Sequence, residues 1–261
     1  SYGKAGFDTT RMFMRSVPNP PDAVAFPENE QDVVRVLDWC ASIGATAIPY
    51  GGGSSVVKGI EPPATAEKVV TISTRHMDKV LEVDPVSQAA RIQGGIYGPA
   101  IEDQLRDTPF TMRHYMQAYR CSTLGGWIAT RSGGHYATLY THIDDFVEST
   151  RVVTPAGTLE TRRLPGSGAG PSPDRLFIGS EGILGIITEA WVRLRKKPTF
   201  RASASVRFKD FFAGADAVRD ITQAGLYPAN CRLLEAREAL PGIPWSSEEA
   251  VLVLAFESAD H

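Results

Sequence analysis

Three consecutive glycines constrain this chain more than any other feature. The stretch Pro49-Tyr50-Gly51-Gly52-Gly53-Ser54-Ser55-Val56 follows a short apolar run, Ala45 to Ile48, that reads as a buried strand. With no Cβ at the strand's exit, the backbone is free to take positive φ and to approach a ligand closely. Successive N–H groups in such a turn can converge on an anion, and Ser54 and Ser55 add hydroxyl donors. The lysine of a Walker loop is missing, and the spacing is not that of the G-x-G-x-x-G fingerprint. On the residues alone, a pyrophosphate-binding loop of another kind and a glycine-rich surface turn stand level.

The surroundings place this loop in an α/β setting. Asp22 to Phe26 reads as a strand. Asn29 then caps a helix that carries Val33, Val34, Val36, Leu37, Cys40 and Ala41 on one face. Gly44 ends the helix where a left-handed residue is usual. The order is strand, helix, strand, with the loop at the carboxyl end of the second strand, where α/β sheets commonly bind ligands. Further strands are expected over Lys68 to Ile72, Lys79 to Val83 and Ala89 to Ile92, the last leading into Gly94-Gly95. A short helix is expected over Pro99 to Arg106, with proline in its first turn.

The run Cys121 to Gly134 is dense in small residues, which let backbone pack against backbone or against a flat ligand; helix packing is the alternative. Arg151 to Thr154, Pro155-Ala156-Gly157 and Thr158 to Arg162 read as a hairpin. Residues 165–173 are Pro, Gly, Ser and Ala, with Asp only after them, and read as a loop. In Phe177 to Thr188, glycines bracket an apolar run that continues as a strand to Leu194. After Pro198 a second α+β unit opens: a strand over Ala202 to Phe208, a helix over 210–224, and strands over Asn230 to Leu234 and Ala250 to Phe256. Residues 1–20 lack a period and read as an irregular arm, with no secretory signal. The abrupt run Leu240 to Trp245 reads as a join.

A chain of 261 residues with 43% apolar and 22% charged content has material for one large or two moderate globular domains. A net charge of -3 without a basic stripe argues against nucleic acid, and no apolar run reaches membrane-spanning length. Cys40, Cys121 and Cys231 fit neither a disulfide framework nor a zinc site, which points to a reducing, cytoplasmic setting. Other chemistries have weaker support. Ser132 and His135 are too close in a glycine-rich loop for a nucleophile and its base, and Gly179-Ser180-Glu181-Gly182 lacks the nucleophile-elbow spacing. His142 with Asp144 and Asp145 offers metal ligands, but such neighbours more often cap or turn a chain, and no metal is expected. Trp127 reads as core.

Three strings stand in fixed order: Pro49 to Val56; Ser122-Thr123-Leu124-Gly125-Gly126-Trp127 with Thr130-Arg131-Ser132-Gly133; and Gly179-Ser180-Glu181-Gly182 with Leu184-Gly185. Together with Ile143-Asp144-Asp145 and Val152-Val153-Thr154-Pro155, they resemble the FAD-binding domain of the vanillyl-alcohol-oxidase, or PCMH-type, superfamily. Within it the similarity is greatest to the alkyldihydroxyacetonephosphate synthases, and the glycolate oxidase and D-lactate dehydrogenase branch is the next. The resemblance implies an α+β fold: a PCMH-type FAD-binding domain of two α+β subdomains over residues 21–198, then the start of an α+β cap domain over 199–261. It also implies the cofactor site. Pro49, Tyr50, Gly51, Gly52, Gly53, Ser54 and Ser55 would hold the FAD pyrophosphate. Gln117, Ala118, Tyr119, Arg120, Cys121, Ser122 and Thr123, with Thr130, Arg131, Ser132 and Gly133, would line the ribityl and flavin region. Glu181, Gly182, Ile183, Leu184, Gly185, Ile186 and Ile187 would meet the adenine half and the flavin edge. With no histidine in the glycine loop, the FAD is expected to be non-covalent.

What the resemblance implies about activity is a choice. One branch exchanges an acyl for an alkyl group at flavin N5 in ether-lipid synthesis, with no net oxidation. The alternative is an FAD-dependent D-2-hydroxy-acid dehydrogenase or glycolate-oxidase-type oxidoreductase, and a non-catalytic flavin-binding module is a second alternative. A small-molecule or lipid-phosphate substrate follows from the enzymatic readings, with peripheral membrane association and a homodimer left open. The chain departs from the pattern at Tyr115-Met116-Gln117-Ala118-Tyr119-Arg120-Cys121, where the family carries an acidic segment. Relatives place their catalytic Tyr, Arg and His in roughly two hundred further residues, the size of another domain, so the catalytic groups are expected C-terminal to 261.

Overall fold

The computed structural model describes residues 3–164, 168–235, 238 and 249–260. The expected join at 240–245 and the first residues of the 165–173 loop lie outside the described residues. The chain forms two compact units. The first comprises 1–112, 118–132 and 143–195; the second comprises 113–117, 133–142 and 196–261.

The first unit contains both expected α+β subdomains. Helix α1 (Gly6–Phe13) precedes strand β1 (Ala23–Ala25), helix α2 (Glu30–Ile43), β2 (Thr46–Tyr50) and β3 (Val69–Ser73). The three strands make a parallel sheet in the order β1-β3-β2. α2 starts because the Asn29 side chain accepts from the Asp32 N–H at 3.0 Å, and it stops because Gly44 sits at φ +66. Strand β3 is buried along its whole length, as expected of a central parallel strand.

Next come β4 (Val80–Asp84), β5 (Ala89–Gln93), α3 (Gly98–Gln104), α4 (Leu124–Thr130), β6 (Val147–Thr154), β7 (Gly157–Glu160) and β8 (Ile186–Arg193). The five strands form an antiparallel sheet in the order β4-β5-β8-β6-β7, with Ile92 opposite Ala190 and Val153 opposite Ile186. Val33 and Cys40 from α2, Val70 and Ile72 from β3, and Val153 and Ile186 from the antiparallel sheet share one buried cluster with Met77. An ion pair adds to this seam: Arg151 on β6 donates through Nε and Nη2 to the two Glu30 oxygens, at 2.6 and 2.9 Å.

One expectation is corrected. The N-terminal segment is helical over Gly6–Phe13, not irregular. Its stabilising partners are remote or local polar groups that no apolar period reveals. The Asp8 carboxylate accepts from the Ala5 N–H at 3.1 Å, and Arg11 reaches both oxygens of Glu61 at 3.0 Å.

In the second unit, β9 (Phe200–Phe208), α5 (Phe211–Gln223), β10 (Asn230–Glu235) and β11 (Ala250–Ser258) make an antiparallel sheet in the order β9-β11-β10, with α5 packed on it. Asp210 caps α5 by accepting from the Ala213 N–H at 2.7 Å. Segments 113–117 and 133–142 belong to this unit. Arg113 pairs with Glu257 of β11, and its guanidinium lies 5.4 and 5.0 Å from the Tyr115 and Tyr136 ring centres. No helix among the described residues is long and apolar enough to cross a membrane.

Candidate functional site: three glycine-bearing turns in one unit

Within the first unit, Pro49 to Gly53, Cys121 to Ser132 and Gly179 to Gly182 meet. A Cβ on Gly51 would stand 2.3 Å from Thr123 Oγ1, and one on Gly52 would stand 2.0 Å from the Cys121 carbonyl oxygen. Only glycine allows the loop after β2 to lie this close on the turn before α4. The third string closes the ring. The N–H groups of Gly179 and Glu181 donate to the carbonyls of Ile128 and Ala129, at 2.9 and 2.8 Å, at the end of α4. Gly182, at φ +82, lies against the Pro49 ring, 3.3 Å from its Cγ to an added Cβ.

The glycine loop presents donors. Among the described residues, the main-chain N–H groups of Gly51 to Ser55 find no hydrogen-bond acceptor. Gly52 and Gly53 are nevertheless buried. Buried amides are nearly always paired, so these two unpaired ones are donors available to an outside acceptor. Gly53 takes φ +72, and a left-handed residue in such a run turns neighbouring N–H groups toward a common concavity. Tyr50 supports the turn from below, its hydroxyl 2.1 Å from where a Gly53 Cβ would stand.

The turn before α4 is rigid for reasons of its own. Ser122 Oγ donates to the Ala118 carbonyl at 2.8 Å and accepts from Trp127 Nε1 at 2.7 Å. Thr123 caps α4 by accepting from the Gly126 N–H. Both side chains are buried and engaged, so what residues 122 and 123 offer a ligand is main chain. Trp127 is core, 1% exposed, and stacks on Tyr119 with ring centres 6.3 Å apart. Tyr119 in turn donates to the Gly98 carbonyl at 2.7 Å.

Other site candidates separate by burial. Ile186 and Ile187 begin β8 and point into core, whereas Glu181, Ile183, Leu184, Arg120 and Thr130 are exposed. Val56, Val57, Ile183 and Leu184 leave apolar side chains in solvent beside the loop. Arg131, left-handed at φ +52 where α4 ends, turns its guanidinium to Asp144, with Nε 2.9 Å from Oδ2. Burial opposes ionisation of Asp144, but Arg131, helped by Arg175, outweighs it and holds the pKa below the usual carboxylate range. Asp144 thus serves two arginines, and the described residues hold no cluster of metal ligands. Gln117 and Gly133 belong to the second unit. There His135 donates its main-chain N–H to the Tyr115 carbonyl, and its ring is held below the usual histidine pKa by burial and then by Arg232.

Sequence reasoning gave no place in the site to Gly94, Gly95, Gly125 or Tyr97. Gly94, Gly95 and Gly125 knit the turns to the sheets: the Gly125 N–H donates to the Gly94 carbonyl at 2.7 Å, and a Cβ on Gly95 would stand 1.7 Å from the Thr74 carbonyl. The doublet after β5 was the available signal. Tyr97 bridges to Thr123, and its phenol is pushed above the ordinary tyrosine pKa by burial and then by Tyr50, so it stays protonated near neutrality. A lone tyrosine carries no sequence signal for that place.

Comparison with known proteins shows the family of the chain that carries these turns. Residues 21–162 match the FAD binding domain family, and residues 197–261 match the C-terminal domain of FAD linked oxidases. The chain belongs to the FAD-binding domain family. FAD is its cofactor. Alkyldihydroxyacetonephosphate synthase of Dictyostelium discoideum is 36% identical over 259 residues, covering 99% of this chain and 42% of that protein. Glycolate oxidase subunit GlcD of Bacillus subtilis (strain 168) is 30% identical over 245 residues, covering 89% of this chain and 51% of that protein. A solved alkyldihydroxyacetonephosphate synthase superposes with a TM-score of 0.90 at 32% identity, over 98% of this chain and 51% of the other. The chain therefore has the PCMH-type fold of this family, and it spans about half the length of the relatives it matches.

Proposed function

We propose that this chain is the FAD-holding part of a flavoenzyme of the alkyldihydroxyacetonephosphate synthase type, with the unpaired amides of Gly51 to Ser55 as its pyrophosphate clamp. That run of donors carries the reading. The pyrophosphate brings negative charge, and hydrogen bonds to charged acceptors are the strong ones. Pro49 and Tyr50 fix the entry to the loop, and Ser54 and Ser55 add hydroxyls. Ala118 to Thr123 and Thr130 to Ser132 give the flavin half a wall of main chain held still by Ser122, Thr123 and Trp127. Glu181 to Gly185 close the remaining side. When bound, FAD supplies the electron-accepting ring; the protein's part is to orient it and exclude water. Residues 21–198 serve the cofactor, and 199–261 open a cap that takes a small-molecule or lipid-phosphate substrate. A peripheral membrane setting suits a lipid substrate.

The alkyldihydroxyacetonephosphate synthase reading is favoured over a 2-hydroxy-acid oxidoreductase by identities of 36%, 34% and 30% to three synthases, against 30% to GlcD. The cofactor is held non-covalently, because no histidine stands in Pro49 to Val56. The experiment is a visible spectrum of the purified protein, followed by acid precipitation. Flavin absorbance that moves wholly to the supernatant is expected. A yellow pellet refutes non-covalent binding, and a protein that takes up no FAD on titration refutes the clamp. Full-length protein that turns over an acyl dihydroxyacetone phosphate with a long-chain alcohol, and not a D-2-hydroxy acid, settles the activity.

A further inference from the structure

We propose that the main-chain N–H of Lys4 is a positioning contact for the pyrophosphate clamp, acting through the peptide between Gly53 and Ser54. The inference rests on the reading that this loop holds FAD. The Lys4 N–H donates to the Gly53 carbonyl at 2.6 Å. The peptide is trans, so the Ser54 N–H points the opposite way from that carbonyl. Fixing the one group therefore aims the other, which is among the unpaired donors. The contact matters here because glycine peptides are the loosest in a chain and three glycines precede Ser54.

The segment that carries Lys4 is itself anchored at two points. Asp8, 4% exposed, holds the Ala5 N–H, and Arg11 takes both oxygens of Glu61. The Lys58 ammonium lies 5.0 Å from the Phe7 ring centre. Lys58 and Glu61 continue the same loop, so α1 and its leader grip the loop at Gly53 and again downstream at Lys58 and Glu61. Beside these contacts is a small pocket lined by Phe7, Asp8, Ser55, Lys58 and Ile60. Discrete contacts from the strap hold the loop in its place.

The role belongs to the amide, not the side chain, which makes it separable. Lys4→Ala keeps the N–H and removes the ammonium that lies over the Tyr97 ring; Lys4→Pro removes the donor. Arg11→Gln loosens the strap without touching the donor. FAD and ADP titrations of the full chain are the readouts, since ADP carries the pyrophosphate without the flavin. Lys4→Ala is expected within about twofold of wild type. Lys4→Pro is expected to bind both ligands about five- to tenfold more weakly, the value of one hydrogen bond, by the same factor for each. Arg11→Gln is expected to weaken both in equal proportion by a smaller factor. Equal affinity of Lys4→Pro and wild type overturns the inference, as does a loss in Lys4→Ala matching that in Lys4→Pro, or a loss for FAD without one for ADP. Wild-type protein that binds neither ligand overturns the clamp itself, and the inference with it.

Discussion

Replacing Gly52 by alanine tests the ring of turns where it is tightest. The added methyl carbon would stand 2.0 Å from the Cys121 carbonyl oxygen and 2.6 Å from Ser122 Cα. Ordinary contact begins at 3.4 Å, so one side must retreat by 3.4 − 2.0 = 1.4 Å. Both obstacles are backbone, and the Ser122 turn is anchored through Ala118 and the buried Trp127 indole, so the glycine loop is the side that moves. Overpacking of this kind costs about 1–3 kcal/mol of stability. A shift of that size also carries the clamp amides out of hydrogen-bond range. Losing two charge-assisted bonds at about 1.5 kcal/mol each is about 3 kcal/mol, or roughly a hundredfold in FAD affinity. Gly44→Ala is the control: Gly44 has φ +66 and nothing within 4 Å of an added Cβ, so it suffers backbone strain of about 1 kcal/mol without a collision. Urea unfolding of the apo-protein and FAD titration by fluorescence quenching read both effects. Gly52→Ala binding FAD as wild type does, or Gly44→Ala losing as much affinity as Gly52→Ala, refutes the reasoning.

Ser122→Ala removes the Ser122 acceptor from the buried Trp127 N–H and is expected to cost about 1–3 kcal/mol in urea unfolding; an unchanged midpoint would show that the turn before α4 is held otherwise. His114 is buried and its pKa is pushed down to about 4, first by burial and then by His142, against 6.5 when exposed. The folded protein keeps it neutral, whereas the unfolded chain takes a proton near 6.5. Its contribution to stability is therefore full above pH 6.5 and lost as pH falls from 6.5 toward 4, by about 3 kcal/mol in all. His114→Asn should flatten the stability profile in that window, and an equally steep profile in the variant would assign the acid sensitivity elsewhere.

Much of the architecture was legible because it is local. The Asn29 cap, the Gly44 stop and the apolar stripe between them fix α2 within one segment. The hairpin around Pro155-Ala156-Gly157 and the helix begun by Asp210 are set the same way. The helix at Gly6–Phe13 was not legible, because Arg11 finds its partner fifty residues away in Glu61. Nor could sequence order show that 113–117 and 133–142 join the second unit. Arg113 of the first segment pairs with Glu257, and Tyr136 of the second lies against the same guanidinium; such contacts carry no period.

The sequence by itself determined that bare backbone would be presented at three places, since runs of glycine and small residues remove the side chains that would keep main chains apart. Only the tertiary structure decided what that bareness serves at each place. At Gly51 and Gly52 it lets one turn seat on another, and from Gly51 to Ser55 the main-chain donors are unspent. A glycine reads the same in both settings, and the difference lies in which carbonyl from a distant part of the chain has come within reach.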